Sequence, residues 1–117
     1  MSAVYPIAAS ILTPASPTPV RGEILKLTNL GFLVQVATPQ NWQTGDRMQV
    51  QFELPGVARD YDEPVKVIRA YLKWVQGPSE KLKVQIFEMH FLSLAASKKL
   101  VIDQFVAAHK SSADESG

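Results

Sequence analysis

Six residues in this chain have the types and spacing of a small polar ligand site: Lys26-Leu27-Thr28-Asn29-Leu30-Gly31, within "RGEILKLTNLGFLVQV". Thr28 and Asn29 carry short hydrogen-bonding side chains. Gly31 supplies either a positive φ or room for a close backbone approach. Taken alone, the segment reads better as a strand running into a turn. Other reactive residues are sparse. His90 and His109 have no second histidine at metal-ligand spacing, so a metal site would draw its ligands from distant segments. Asp60, Asp62 and Glu63 cluster in a polar stretch that reads as a solvated acidic loop rather than a cation site. No nucleophile elbow, phosphate-binding Gly-Lys-Ser/Thr loop or dinucleotide fingerprint occurs, and nothing points to an enzyme. Trp42, Tyr71 and Trp74 are candidate stacking platforms for nucleobases, although core or rim aromatics describe them better.

The composition narrows the classes further. The chain has 117 residues, 46% of them hydrophobic, which suits one domain with a real core. A net charge of +1 gives no global field toward nucleic acid or an anionic membrane. The absence of cysteine excludes disulfides, thiolate metal sites and a cysteine nucleophile, and fits a reducing cytoplasm. The N-terminus reads as neither a signal peptide nor a transmembrane helix.

The elements that must position the six residues follow from periodicity. Ala3 to Leu12 is apolar and reads as a first strand. "TPASPTP", with Pro14, Pro17 and Pro19, reads as a loop or polyproline-like connector, because closely spaced prolines exclude a helix and a central strand. Leu25 and Leu27 before Asn29-Leu30-Gly31, and Phe32, Val34 and Val36 after it, make a hairpin. "ATPQNWQTGD" is a loop ending in the Gly45-Asp46 turn. In "RMQVQFELPG", Met48, Val50, Phe52 and Leu54 alternate with polar residues, which defines a half-buried antiparallel strand closed by Pro55-Gly56. "VARDYDEP" reads as a polar loop. Val65 to Val75 is a strand whose apolar phase changes, implying a bulge or cover on both faces. "QGPSEK" turns the chain into a last strand, Leu82 to Phe91, with a second phase change at Ile86 and Phe87. Leu94, Val101, Phe105 and Ala108 then form one helical stripe, with Ser93 as N-cap and Lys110 at the C-terminal end. That helix should pack on the sheet or across a barrel mouth. Residues 111–117 are expected to be a disordered tail after a domain over residues 1–110. The order predicts a mainly β fold: a small antiparallel barrel of about six strands with one C-terminal α-helix.

In this order and spacing the pieces resemble the PilZ family, small β-barrel domains many of which bind the bacterial second messenger cyclic di-GMP. "GEILKLTNLGFLVQV" resembles the family's Asp/Asn-x-Ser-x-x-Gly segment and its following strand. "TGDRMQVQFELPG" resembles the strand ending in Leu-Pro, "VIRAYLKWVQ" the strand ending in apolar-x-Trp, and "KVQIFEMHFLSL" the closing strand before the helix. The resemblance spans about residues 5–108. It implies a ligand site in two parts: an Arg-x-x-x-Arg clamp on the phosphates, and the Asp/Asn-x-Ser-x-x-Gly segment on base and sugar.

The sequence departs from both parts. Residues 1–20 hold no arginine or lysine; the first is Arg21, with no arginine partner four residues away. Lys26 stands at the Asp/Asn position, where an ammonium can donate but not accept from a guanine edge. Thr28 keeps the hydroxyl and Gly31 the glycine, while Asn29, one residue along, should point to the opposite face from Thr28. Lys26, Arg21, Arg69 and Lys73 are left to supply phosphate attraction without specificity. The resemblance therefore implies a cytoplasmic signalling module in a motility, pilus (type IV) or second-messenger setting. Its expected partner is a protein, with cyclic di-GMP bound weakly or not at all, no nucleic acid and no membrane insertion. The rival expectations are a genuine cyclic di-GMP receptor, with ligand-binding residues Arg21, Lys26, Thr28, Asn29 and Gly31, and a nucleic-acid-binding barrel.

Overall fold

The computed structural model describes residues 6–57 and 59–109. Six antiparallel strands close into a barrel in the order β1-β2-β3-β6-β5-β4. They are β1 Ile7–Thr13, β2 Ser16–Leu27, β3 Gly31–Val36, β4 Arg47–Leu54, β5 Arg59–Gln76 and β6 Lys81–Phe91, followed by helix α1 Ala96–His109. Alternation places Ile7, Ala9 and Ile11, and Met48, Val50, Phe52 and Leu54, inside the barrel. Phe52 stacks on Tyr61 with centroids 4.9 Å apart, and Phe32 meets Phe91 edge-on at 5.7 Å. The six-strand barrel with one C-terminal helix is the architecture that the strand pattern predicts.

Several local expectations are corrected. The proline stretch is no loop: Pro14-Ala15 is a tight turn, and Pro17 and Pro19 lie inside β2. They are tolerated because the ladder is interrupted there. Ile11 pairs with Val20 and Thr13 with Ser16, so residues 17–19 face a single residue of β1 across a bulge. On the other side, β3 pairing begins only at Gly22. "VARDYDEP" is also no loop from Arg59 on. It opens β5, with Tyr61 and Glu63 buried and Asp60 and Asp62 exposed. The three acids therefore do not cluster. Asp62 accepts from Gln49 and Gln51, while Glu63 pairs with Lys98 Nζ at 2.6 Å.

Both phase changes locate real features. The β5 register shifts between Val67 and Arg69, marking a bulge at Ile68. In β6, Ile86 and Phe87 are both buried, on opposite faces. A third bulge lies between Ile24 and Lys26, so that Ile24 and Leu27, not Leu25 and Leu27, face the core.

The helix begins at Ala96, with Ala95 O accepting the first bonds, so Ser93 is not its cap. Its deepest residues are Ile102 and Phe105, which join the barrel core, while Ala108 is exposed. Tyr61 Oη donates to Lys98 O at 3.0 Å, fixing the helix start against β5. Residues 3–5 of the expected first strand, Lys110 and the expected tail lie outside the described residues.

Candidate functional site

The six-residue segment forms the end of β2, a turn and the start of β3. Thr28 organises the turn. Its N–H donates to Gly31 O at 2.8 Å, and its Oγ1 accepts from Leu30 N at 3.2 Å and from Gly31 N at 3.3 Å. Gly31 is required by close approach and not by a positive φ. A Cβ there would collide with Met89 O and lie 2.8 Å from His90 Cα, because β3 and β6 cross tightly at this pair.

On the outer face of the barrel this turn borders a shallow cleft of about 270 Å³, lined by Lys26, Thr28, Gly31, Arg69, Glu88 and His90 among others. Its volume is just under the roughly 300–1,000 Å³ usual for small-molecule sites. Register explains the gathering. Lys26 pairs with Leu33, Leu33 with Glu88, and Glu88 with Arg69, making one row across β2, β3, β6 and β5. The next row sets Gly31 beside His90 and His90 beside Lys66.

The polar groups of the rows are largely committed to one another. Arg69 Nε donates to Glu88 Oε1 at 2.8 Å, and His90 Nε2 lies 3.1 Å from Glu88 Oε2. Since a carboxylate only accepts, His90 Nε2 is the donor. Lys26 has no ion-pair partner among the described residues. The cleft thus offers an ammonium and the outer guanidinium nitrogens at its rim, with a carboxylate between them.

The expected site residues do not all converge here. Lys26, Thr28 and Gly31 line the cleft, but Asn29 turns away and donates from Nδ2 to Asp103 Oδ1 of α1 at 2.8 Å. Arg21 lies five residues back along β2, about 17 Å at strand rise, beside Ala8, Glu23 and Gln35. Of the other cations, Arg69 lines the cleft and Lys73 does not. Glu88 and His90 are the members that sequence reading missed. Their spacing of two residues in β6 puts them on one face, which is the only signal the sequence offered. Trp42 is half-buried against Phe87, with centroids 4.8 Å apart, whereas Tyr71 and Trp74 are exposed.

No protein-family profile and no curated protein matches this chain. Solved structures do. The PilZ domain with c-di-GMP of YcgR from Escherichia coli superimposes with a TM-score of 0.75 at 16% identity, over 95% of this chain and 87% of that one. MrkH of K. pneumonia in its apo state gives 0.80 at 9% identity, over 97% of this chain and 48% of that one. The Bacillus subtilis inhibitor of motility MotI/DgrA gives 0.71 at 16% identity, over 92% and 48%. The barrel and its closing helix therefore have a PilZ-like fold. The chain spans about half the length of the latter two proteins.

Proposed function

We propose that this chain is a signalling module of the cyclic di-GMP type that works as a protein-interaction adaptor, is not an enzyme, resides in the cytoplasm and binds cyclic di-GMP weakly or not at all. The placement of Glu88 carries this reading. A dianionic nucleotide entering the cleft meets a carboxylate that already holds Arg69 and His90. It must displace those bonds or accept like-charge repulsion. Lys26 adds attraction but no acceptor for a guanine edge. No helix among the described residues is long and apolar enough to cross a membrane. The PilZ-like fold and the motility-related protein among the structures it matches support a motility, pilus or second-messenger setting.

Calorimetric titration with cyclic di-GMP should show no saturation in the micromolar range, and a micromolar or tighter Kd would overturn the proposal. Glu88→Gln removes the competing charge and should strengthen nucleotide binding about fivefold, roughly 1 kcal/mol at a partly exposed site. The rival receptor built on Arg21 with Lys26 to Gly31 is disfavoured, because Arg21 and Asn29 face elsewhere.

A further inference from the structure

Two hairpins overhang the barrel. In the β1–β2 hairpin, the overhanging part of β2 carries Pro17 and Pro19. The β5–β6 hairpin is longer. β4 stops pairing with β5 at Lys66, and Gly45, Asp46 and Thr44 cover Val67 and Ile68. Among the described residues, β5 is bonded to β6 on one side only from Arg69 to Gln76. This leaves an open edge of roughly 25 Å at strand rise. It contains no proline and no acidic residue. The opposite edge of the hairpin is open only over Lys81–Val84, because β3 pairing starts at Gln85, and it carries Lys81 and Lys83. Two lysines in four residues blunt that edge against strand addition, whereas the β5 edge carries one lysine, Lys73, in eight residues.

We propose that the open β5 edge, Arg69–Gln76, receives an extended acidic and apolar segment of a partner protein as an added strand. This deepens the adaptor reading above and rests on it. Main-chain amides and carbonyls of the edge give affinity, and alternate side chains give selectivity. On one face stand Leu72 and Trp74, 59% and 60% exposed, with Lys83 Nζ 5.0 Å from the Trp74 ring centroid. On the other stand Tyr71 and Lys73, and Lys73 has no ion-pair partner among the described residues.

The charge chooses the occupant. Residues 69–83 hold four basic residues and one acidic, a net +3, while the rest of the chain holds eight basic and ten acidic, a net −2. A second copy would set two cationic hairpins side by side, which like-charge repulsion disfavours. Nucleic acid would use the charge and the rings but leave the edge amides and Leu72 unmatched. A strand with glutamate or aspartate toward Lys73 and apolar residues toward Leu72 and Trp74 satisfies all three sets.

The test uses the full chain and a short synthetic peptide alternating glutamate with valine, read by Trp74 emission against a Trp74→Phe control. The glutamate peptide should give a saturable blue shift, and a lysine–valine counterpart should bind about tenfold more weakly. Lys73→Glu with Lys83→Glu should reverse that preference. Tyr71→Pro and Leu72→Pro direct the missing N–H to opposite sides of the strand. The one facing the open edge should keep the native circular dichroism and lose the peptide. The proposal is overturned by equal binding of both peptides, by no saturation below about 1 mM, by binding that survives both prolines, by dimerisation without peptide, or by tighter binding of single-stranded DNA. Cyclic di-GMP titration judges the adaptor reading independently. Tight nucleotide binding with peptide binding intact overturns only the reading of the cleft, and a failed peptide titration with no nucleotide bound overturns only the docking edge.

Discussion

The barrel body and the β5–β6 overhang are made of the same two strands, yet they obey different rules. Inside the body, β5 and β6 place Tyr61, Val65, Val67, Phe87 and Met89 in the core, and the one buried charged residue among those described, Glu63, is paired. Past the bulge at Ile68 every side chain from Arg69 to Trp74 is exposed. The body buries its apolar groups and pairs its buried charge, whereas the overhang past Arg69 leaves Leu72, Lys73 and Trp74 exposed. The bulge is the boundary, since it ends the alternation that keeps β5 on the core. Exposed apolar surface of this kind marks an interaction site more often than a structural one.

Substitutions should divide along that boundary. Phe87→Ala removes a fully buried ring that supports Trp42 and should cost about 3–5 kcal/mol in denaturant unfolding. A loss below about 1 kcal/mol would blur the distinction. Lys98→Met strands the buried Glu63 carboxylate without its cation and should cost about 2–3 kcal/mol. Adding Glu63→Leu should recover most of that loss, because the desolvated charge goes with it.

Tyr61 gives a smaller, pH-dependent signature. Burial raises its pKa above 10.0, and Glu63 adds to the rise against an opposing pull from Arg59. The folded state therefore holds the phenolic proton more tightly than the unfolded state. Its contribution is complete below about pH 10 and is lost as the pH climbs through the folded pKa. Unfolding free energy should fall more steeply above pH 10 in the native chain than in Tyr61→Phe, and parallel curves would refute the assignment. Trp74→Ala in the overhang should change stability by no more than about 0.5 kcal/mol. A larger loss would show that the overhang belongs to the core.

What the sequence revealed follows the same division. Strand β4 was plain because one face is wholly buried and the other exposed except at half-buried Gln49. The bulge at Ile68 was legible as a phase change. The strand character of Arg59–Pro64 was hidden because a polar run reads as a loop unless the burial of Tyr61 and Glu63 is known, and that burial depends on Phe52 and Lys98. The prolines of β2 misled for a related reason: a ladder interruption is a property of two strands, not one. The ligand-like segment was found through Thr28 and Gly31. The cleft around it was foreseen only in Lys26 and Arg69, because Glu88 and His90 meet it only through pairing register. Asn29 finds its partner Asp103 at a separation of 74 residues, beyond any local pattern.

Pro17 and Pro19 have one more consequence, which concerns valency. A molecule with two competent strand edges can propagate, each copy seeding the next, until a fibre forms. Here the prolines retire one overhang, and β3 pairing shortens the lysine-bearing edge of the other hairpin, leaving one adhesive edge among the described residues. Any strand that docks on Arg69–Gln76 is therefore a terminating event, and this barrel can be sticky at one place without becoming a monomer for polymerisation.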